Sequence, residues 1–484
     1  MGCCPSRQNQ EYKQVKNGAE EAPRRRKMSS VGAAMEKGTW DSDMHMIPPV
    51  VNGLWFYDKA PRLEAFIQMF EEHVWPNYRF HSLMDNGYWK PCESMNKAYH
   101  FSEVLVNNEA DIDAWVQQNV LQPLDYSFPA WKMILLRAPP PNRSAAVFRL
   151  HHTISDGLGL IIAFSPMFGC EGGDVLSKIP LPPAVLPKSY QKPKESKASS
   201  TSTSAKPGCC SSISMFCKGA GMVLASSHDS ELMINAPLAD RTPFVVFNGQ
   251  RVYTRMPAVP MLALKAICKK YDCTINDAIM AALTGGLRNY GANVRGDPRL
   301  QDDSTDLNFT AMVMLGLPRP MDESNLMTAM HNNMLFASCE LPIDDPTPYG
   351  RLMRTMEEFN NLKSMPYMAG LNCLTQALST VTPGPIFRKA VSETFSKKSL
   401  LVTNVPGPTV PVTFPKVGGE MMKELHMVFP NVIPQVSFIT YNGFLFGNLV
   451  ADPQLFPEPA KLGALFEAEF TALQQCDPAE CEWV

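Results

Sequence analysis

The sequence lacks three motifs that would assign a chemistry directly. It contains no Gly-x-Ser-x-Gly nucleophile elbow, no Gly-x-x-x-x-Gly-Lys phosphate loop and no His-Glu-x-x-His zinc motif. Serine hydrolases, nucleotide-dependent enzymes and zinc proteases therefore have no local support. Two cysteine pairs, Cys268 with Cys273 and Cys476 with Cys481, lack partners at zinc-like spacing. We predict no metal site and no permanently bound cofactor.

Strong charge and long apolar runs are missing as well. The formal net charge is only −3, which does not indicate a nucleic-acid partner. No run of about eighteen or more apolar residues is present, so no membrane-spanning helix is expected. The 13 cysteines are odd in number and follow no secretory signal, which favours a reducing cytosolic environment. A chain of 484 residues is long enough for two domains, each with its own core.

The most informative pattern present is the run His-His-Thr-Ile-Ser-Asp-Gly at residues 151–157. Residues 145–150 before it are typical of a half-buried strand, and residues 158–164 after it are typical of an apolar helix. The run is therefore predicted to form a surface turn held by two rigid elements. Gly157 has no side chain. We therefore expect it either to adopt backbone angles that other residues cannot adopt or to let the backbone approach a ligand closely.

The chemistry that this turn suggests is proton transfer by an imidazole. His152, with His151 beside it, is the better candidate for a general base, because an ordinary histidine is mostly neutral at cellular pH and can accept a hydroxyl proton. The Asp156 carboxylate could contact the imidazole. Alternatively, it could point away from the imidazole and pair with an arginine that fixes the loop, and we favour this second arrangement. A purely structural interpretation makes the histidines turn residues and Asp156 a helix N-cap.

Two further segments carry candidate site residues. Asn276 and Asp277 precede a strongly apolar helix predicted at residues 278–287, so a plain N-cap explains one or both of them. Asn404 begins an Asn-Val-Pro-Gly-Pro run that is typical of a rigid loop. The functional alternative is that all three residues shape the wall of an active site.

The remaining periodicities predict an α/β architecture. The Asn442-Gly443 pair is a hairpin signal within a run of strand character. Strands are predicted at residues 50–56, 145–150 and 437–449, and helices at 61–74, 260–271 and 458–475.

Together these segments resemble the bifunctional wax ester synthase/diacylglycerol acyltransferase family, a branch of the coenzyme A-dependent acyltransferases. The resemblance is carried by His-His-x-x-x-Asp-Gly at 151–157, Pro-Leu-Asp at 123–125 with Pro-Ala-Trp at 129–131, Asn276-Asp277, and Asn404 to Pro408. These segments follow the family's order and span residues 44–475. The chain departs from the family pattern at one motif, because the family's usual Pro-Leu-Trp is divided here between residues 123–125 and 129–131. It also lacks the Asp-Phe-Gly-Trp-Gly motif of plant members, which argues against small plant metabolites as substrates.

The resemblance implies two chloramphenicol-acetyltransferase-like domains, each a mixed sheet covered by helices, with an active-site tunnel between them. It implies an O-acyltransferase that uses acyl-coenzyme A as co-substrate and a lipid alcohol as acceptor, either diacylglycerol or a long-chain alcohol. His152 would be the general base, and Asn276, Asp277 and Asn404 would contribute to activity. Two alternatives stay open: a non-catalytic lipid-binding protein, and an acyltransferase for a non-lipid alcohol or amine.

The amino terminus carries a separate signal. Gly2 and Ser6 fit the N-myristoylation pattern, and Cys3 and Cys4 are candidate palmitoylation sites. A basic run at residues 24–27 would add attraction to anionic lipids. We expect a peripheral, lipid-anchored protein on the cytoplasmic face of the plasma membrane or endoplasmic reticulum. The alternative is an ordinary disordered leader.

Composition shifts divide the chain into four predicted parts. Residues 187–212 are rich in Lys, Ser, Thr and Pro, which is typical of a flexible linker. The apolar segment at 213–225 is either a second membrane contact or, in the interpretation we favour, a helix packed on the body. The predicted parts are a disordered acylated leader (1–43), an N-terminal acyltransferase domain (44–186), a linker with the apolar segment (187–230) and a C-terminal acyltransferase domain (231–484).

Overall fold

The fold consists of two large mixed sheets with helices packed against them, together with one small sheet. The computed structural model describes residues 25–39, 47–181, 228–235, 249–364 except 304, 318, 320, 321 and 323, and 397–476, with the single positions 214, 368 and 370. This architecture confirms the α/β class with two sheet-rich domains.

The strands are numbered in chain order through the described residues. They are β1 (Arg26–Lys27), β2 (Val50–Tyr57), β3 (Ser82–Asp85), β4 (Tyr88–Pro91), β5 (Phe101–Leu105), β6 (Trp131–Arg137), β7 (Ser144–His151), β8 (Gly169–Cys170), β9 (Val252–Arg255), β10 (Val259–Pro260), β11 (Thr310–Gly316), β12 (Met334–Glu340), β13 (Leu400–Val405), β14 (Val412–Phe414), β15 (Glu420–Val428), β16 (Gln435–Tyr441) and β17 (Phe444–Ala451).

The helices are numbered in the same way. They are α1 (Ser30–Thr39), α2 (Leu63–Met69), which continues as a π-helical turn (Phe70–Val74), α3 (Lys97–His100), α4 (Glu109–Asn119), α5 (Gly157–Phe164), α6 (Met261–Tyr271), α7 (Ile275–Asn289), α8 (Pro298–Gln301), α9 (Pro348–Leu362) and α10 (Pro459–Gln475).

The first large sheet has the strand order β5-β6-β7-β2-β15-β14-β8. Its central strands are largely apolar because both faces are covered, and every residue of β7 is buried. On one face an aromatic cluster fills the core, with the Phe70 and Trp131 rings stacked at 5.2 Å and Trp55 meeting Phe414 edge-on at 4.4 Å. This sheet holds the end of β7, and therefore the histidine run, in a fixed position.

Two strands of the first sheet come from the C-terminal part of the chain. β15 pairs antiparallel with β2, placing Leu425 opposite Trp55, and β14 extends the same edge. The predicted range 231–484 therefore does not form one sheet by itself, and the first sheet is not built from 44–186 alone. A composition shift can mark a linker, but it carries no information about a strand that returns to an earlier sheet.

The second large sheet has the order β10-β17-β16-β13-β11-β12, with β9 also paired to β17. The predicted hairpin is present: β16 and β17 are joined by Asn442 and Gly443, whose φ angles of 47° and 79° lie in the left-handed region that such a turn requires. Helix α7 is buried along almost its whole length, between α9 and α10.

The other predicted elements are confirmed within two residues of their ends, as β2, β7, α2 with its π-helical turn, α6 and α10, and α7 is confirmed but begins three residues before its predicted start. The predicted disordered leader is wrong for residues 25–39. β1 pairs with β4, α1 follows it, and Arg25 forms a salt bridge with Asp85 and lies over the Tyr88 ring.

Residues 1–24, 182–213 and 215–227 lie outside the described residues, and with them most of the leader, the linker and the apolar segment. None of the helices in the described part of the chain is long and apolar enough to cross a membrane.

Candidate active site

The histidine run connects β7 to α5 and is buried. His151 and Ser155 are fully inaccessible, and His152 is only 4% exposed. The expectation of a surface turn is therefore wrong. The run is covered by the segment 329–333, by Arg319 and by Phe429, all of which come from the C-terminal part of the chain. The local sequence gives no indication that distant segments bury this turn.

His152 lies at the centre of this buried turn. Its backbone N–H donates to Pro49 O at 2.8 Å, and its Nδ1 lies 3.1 Å from Asn332 Oδ1. The ring is 5.5 Å from that of Phe429, centroid to centroid. Burial lowers the pKa of His152 below its ordinary value, although the nearby Asp156 carboxylate opposes the shift. The ring is therefore neutral near pH 7 and chemically able to accept a proton.

His151 is placed differently and holds the turn. Its Nδ1 accepts a hydrogen bond from the backbone N–H of Thr153 at 3.2 Å, and its ring meets Tyr126 edge-on. Burial lowers the pKa of His151 to about 3, helped by repulsion from His152. With Nδ1 engaged inside the turn and the whole side chain inaccessible, His151 contributes geometry to the site.

Asp156 turns away from the imidazole and pairs with Arg319, the arrangement favoured from the sequence. Arg319 Nη1 donates to Oδ1 at 2.8 Å and Nη2 donates to Oδ2 at 3.0 Å. The backbone N–H groups of Gly159 (2.7 Å) and Asn333 (2.9 Å) donate to the same two oxygens. Asp156 is thus also the N-cap of α5, so the structural interpretation of this residue holds alongside the arginine pairing.

Gly157 does not adopt the unusual backbone angles that were one of its two expected roles, and the close approach to a ligand stays a prediction. It begins α5 in a helical conformation, and a Cβ added there would lie 3.3 Å from Val405 Cγ2. The tighter requirement falls on Gly159, where a Cβ would lie 2.8 Å from both Ala329 O and Arg319 Nη1. Both glycines are needed for their small size, because the C-terminal part of the chain packs directly on α5.

Three residues that touch the turn were missed by sequence reasoning: Arg79, Arg319 and Asn332. Arg79 Nη1 donates to the carbonyl oxygens of Thr153 (3.3 Å) and Ile154 (2.9 Å). They lie 74, 163 and 180 residues along the sequence from the residues that they contact. No local sequence pattern could therefore identify them. The only available signal was the general expectation that an arginine would pair with Asp156.

Asn276 and Asn404 are brought together by the fold. Asn404 Nδ2 donates to Asn276 Oδ1 at 2.7 Å, which ties the end of β13 to the first turn of α7. The predicted N-cap at Asn276 or Asp277 is wrong. Thr274 is the N-cap, its hydroxyl accepts from Asp277 N, and the Asp277 carboxylate accepts from Thr274 N at 2.8 Å. Val405, which follows Asn404, is the residue that packs on Gly157, so this pair lies one residue from a contact with the histidine turn.

In the described part of the chain, no group of three or more His, Cys, Asp or Glu side chains could hold a metal ion. A cavity of about 500 Å³ lies beyond the far end of α5, lined in part by Phe168, Asp174, Leu326 and Lys416. His152 does not line it, so the tunnel expected at His152 stays a prediction. Gly2, Cys3 and Cys4 lie outside the described residues.

Comparison with known proteins relates this arrangement to one family. The profile of the wax ester synthase/diacylglycerol acyltransferase catalytic domain matches residues 58–279, and that of the WS/DGAT C-terminal domain matches residues 330–474. A probable diacylglycerol O-acyltransferase, tgs1, of Mycobacterium tuberculosis is 22% identical over 426 residues, 83% of this chain and 86% of that protein. The O-acyltransferase WSD of Acinetobacter baylyi is 22% identical over 447 residues, 87% of this chain and 92% of that protein.

Solved structures agree at the level of the fold. A wax ester synthase/diacylglycerol acyltransferase from Marinobacter aquaeolei VT8 superposes with a TM-score of 0.59 at 13% identity, covering 92% of this chain and 98% of that one. The first condensation domain of the CDA synthetase superposes with a TM-score of 0.55 at 10% identity, covering 94% and 96%. With the two profiles together matching most of the chain, around a buried His-His-x-x-x-Asp-Gly turn, the protein belongs to the wax ester synthase/diacylglycerol acyltransferase family.

Proposed function

We propose that this protein is an acyl-coenzyme A-dependent O-acyltransferase that moves a fatty acyl group to a lipid alcohol, with His152 as general base. The observation that carries the proposal is the buried, neutral imidazole of His152 inside the family's motif. Homologues over more than four-fifths of the chain are diacylglycerol O-acyltransferases and an O-acyltransferase WSD, which supports transfer to a lipid alcohol.

The reaction needs one proton carrier and no covalent enzyme intermediate. His152 takes the hydroxyl proton as the oxygen attacks the thioester carbonyl, and a new C–O bond forms. The tetrahedral intermediate then collapses, the C–S bond breaks, and the thiolate of coenzyme A recovers the proton from the imidazolium. The salt bridge of Asp156 with Arg319 keeps the turn in place throughout.

The acceptor is either diacylglycerol, which gives triacylglycerol, or a long-chain alcohol, which gives a wax ester. The test is to incubate purified full-length protein with labelled fatty acyl-coenzyme A and each acceptor in turn, and to separate the lipid products. We expect thiol release that depends on the lipid alcohol and a labelled ester of matching identity. Thiol release only with a non-lipid alcohol or amine would reassign the acceptor. An absence of any turnover would favour a non-catalytic lipid-binding protein.

Attachment to a membrane surface is the second part of the proposal, and it rests on the sequence of the amino terminus. Gly2 would carry a myristoyl group, and Cys3 and Cys4 would carry palmitoyl groups, because one myristoyl chain alone binds only marginally. The basic run contributes less than its charge suggests, since Arg25 is already paired with Asp85. A Gly2→Ala variant is expected to move from the membrane fraction to the supernatant in cells. Full retention on membranes would contradict the anchor.

A further inference from the structure

Asn332 makes three hydrogen-bond contacts with the histidine turn. It is 6% exposed and lies two residues before β12, in the C-terminal part of the chain. Its Nδ2 donates to His152 O at 2.8 Å and to Thr153 O at 3.2 Å. Its Oδ1 lies 3.1 Å from His152 Nδ1.

These contacts fix which way the amide of Asn332 points. The carbonyl oxygens of His152 and Thr153 can only accept hydrogen bonds, so the NH₂ group of the amide must face them. The amide oxygen must then face His152 Nδ1. Because that oxygen can only accept, Nδ1 must be the ring nitrogen that carries the hydrogen. In a neutral ring, Nε2 is then left unprotonated.

We infer that Asn332 is a positioning residue that selects the tautomer of His152, so that Nε2 presents its lone pair to the acceptor hydroxyl. The inference deepens the proposed function and rests on it for its catalytic meaning. In the opposite tautomer, the lone pairs of Nδ1 and Asn332 Oδ1 would face each other in a buried site. One unmade buried hydrogen bond corresponds to a preference of roughly 10-fold to 100-fold for the tautomer that makes it.

Asn332 also explains how Asp156 acts on a ring that it does not touch. His331 O, on one side of Asn332, accepts from Asp156 N at 3.4 Å. Asn333 N, on the other side, donates to Asp156 Oδ2 at 2.9 Å. Asp156 and its partner Arg319 therefore hold the backbone on both sides of Asn332 and set the position of its amide.

The backbone carbonyl of His152 is itself a hydrogen-bond partner of the ring, and like Asn332 it favours a protonated ring nitrogen. The other groups that could act on the ring are few among the described residues. The charged ones on the packed elements are Asp156, Arg319 and Arg79, and the titratable neighbours are His151 and His331. Asp156 is committed to Arg319, and Arg79 donates to Thr153 O and Ile154 O. Burial lowers the pKa of His151 to about 3 and that of His331 to about 4, so both stay neutral around pH 7.

The direct test is ¹⁵N NMR of the full-length protein labelled at histidine, recorded near pH 7 without substrate. The His152 signals are assigned by their loss in a His152→Gln variant. We expect a protonated Nδ1 and an unprotonated Nε2 in the wild-type protein. Once the His152 signals are assigned, the opposite tautomer in the wild type would overturn the inference, whether or not an Asn332 variant folds and whether or not acyl transfer is observed.

Two substitutions then test the role of the amide. Asn332→Leu removes the acceptor, and we expect a mixed tautomer. The kcat should fall in proportion to the lost fraction of Nδ1-protonated ring, about twofold for an equal mixture, with the KM for acyl-coenzyme A unchanged. Asn332→Asp restores an acceptor for Nδ1 and adds a negative charge. It should recover the Nδ1-protonated form and move the acid limb of the pH–rate profile to higher pH. The discriminating readouts are the recovered tautomer and the recovered kcat relative to Asn332→Leu, because an added carboxylate raises the pKa of a neighbouring imidazole in any case.

Asn289→Leu is the matched control, because it removes another asparagine whose Nδ2 donates inside the fold, to Glu469 Oε1 at 2.7 Å. It should lose stability and keep both the tautomer and the acid limb. An Asn332→Leu protein with the wild-type tautomer and undiminished kcat would reject the positioning role. The expected tautomers in a protein without transferase activity would retain the positioning role and reject the proposed function.

Discussion

Two buried arginine–carboxylate pairs serve different purposes in this protein. Arg319–Asp156 joins the histidine turn to the C-terminal part of the chain, with side chains 0% and 6% exposed. Arg351–Glu469 joins α9 to α10 within the second half, with side chains 2% and 7% exposed. Asn289 Nδ2, from α7, also donates to Glu469, and a Cβ at Gly285 would collide with the Glu469 carboxylate.

The two pairs differ in what they connect: Arg351–Glu469 holds helices together, and Arg319–Asp156 holds the histidine turn. Both pairs carry a desolvation cost, so burial alone does not make either one a net source of stability. Arg351–Glu469 connects three helices and touches nothing in the histidine turn. The pair at Asp156 reaches His152 through Asn332 and its neighbours. We therefore expect the same chemistry to affect acyl transfer only where its backbone partners belong to the histidine turn.

Breaking the pair at the turn should have the largest combined effect. Asp156→Asn leaves Arg319 buried without a charged partner, which we expect to lower the free energy of unfolding by about 3 to 5 kcal/mol. It also loosens the segment around Asn332, so the transfer rate per folded molecule should fall at least about tenfold. Urea unfolding and thiol release give the two quantities. An Asp156→Asn protein with a wild-type rate per folded molecule would break the link between the pair and the site.

Breaking the pair in the second half should lower stability alone. Glu469→Gln leaves Arg351 buried without its anionic partner, with an expected loss of about 3 to 5 kcal/mol in the free energy of unfolding. The transfer rate per folded molecule should remain unchanged, because neither residue contacts the turn. Measured beside Asp156→Asn at temperatures where both are folded, this variant is the control for destabilisation. An equal loss of rate in the two variants would remove the distinction between them.

The pH dependence should follow the burial of His152. Burial lowers the pKa of the ring below the ordinary histidine value of 6.5, and a lowered pKa keeps the base neutral to lower pH. The rate per folded molecule should therefore hold as the pH falls through 6.5 and decline only further into acid. The measurement is kcat/KM against pH, with near-UV circular dichroism reporting the folded fraction. An acid limb centred at or above 6.5 would contradict the burial argument.

The smallest effect is expected at the asparagine pair. Asn404→Ala removes one hydrogen bond to Asn276, which is exposed, so stability should change by about 1 kcal/mol or less. If the pair shapes the wall of the site, the rate should still fall several-fold, since Val405 next to it packs on Gly157. Parallel unfolding and rate measurements decide the matter. An unchanged rate would reduce Asn276 and Asn404 to a tie between β13 and α7.

Local patterns in the sequence were enough for several elements and for locating the histidine turn. Apolar periodicity predicted β2, β7, α6 and α10, and Asn442-Gly443 predicted the hairpin, because each depends on neighbouring residues. The partners of the site could not be found in this way. Arg319 and Asn332 meet the turn only after β14 and β15 have returned to the first sheet and the second half has folded over it.

The errors have the same origin. The turn was expected at the surface because nothing near residues 151–157 predicts its cover. The predicted disorder of the leader fails at residues 25–39 because the pairing of β1 with β4, and of Arg25 with Asp85, depends on a hairpin some 60 residues later. Long-range contacts decide burial, and burial decides the pKa values on which the chemistry depends.

The most direct test of the central claim compares wild-type protein with His152→Ala in one assay. Both are supplied with fatty acyl-coenzyme A and a lipid alcohol at equal concentrations of folded protein, and free thiol is followed over time. We expect release by the wild-type protein only when the alcohol is present, and a fall of about 100-fold to 10,000-fold in the variant with its fold intact. A His152→Ala protein that turns over at nearly the wild-type rate would show that this imidazole is not the base.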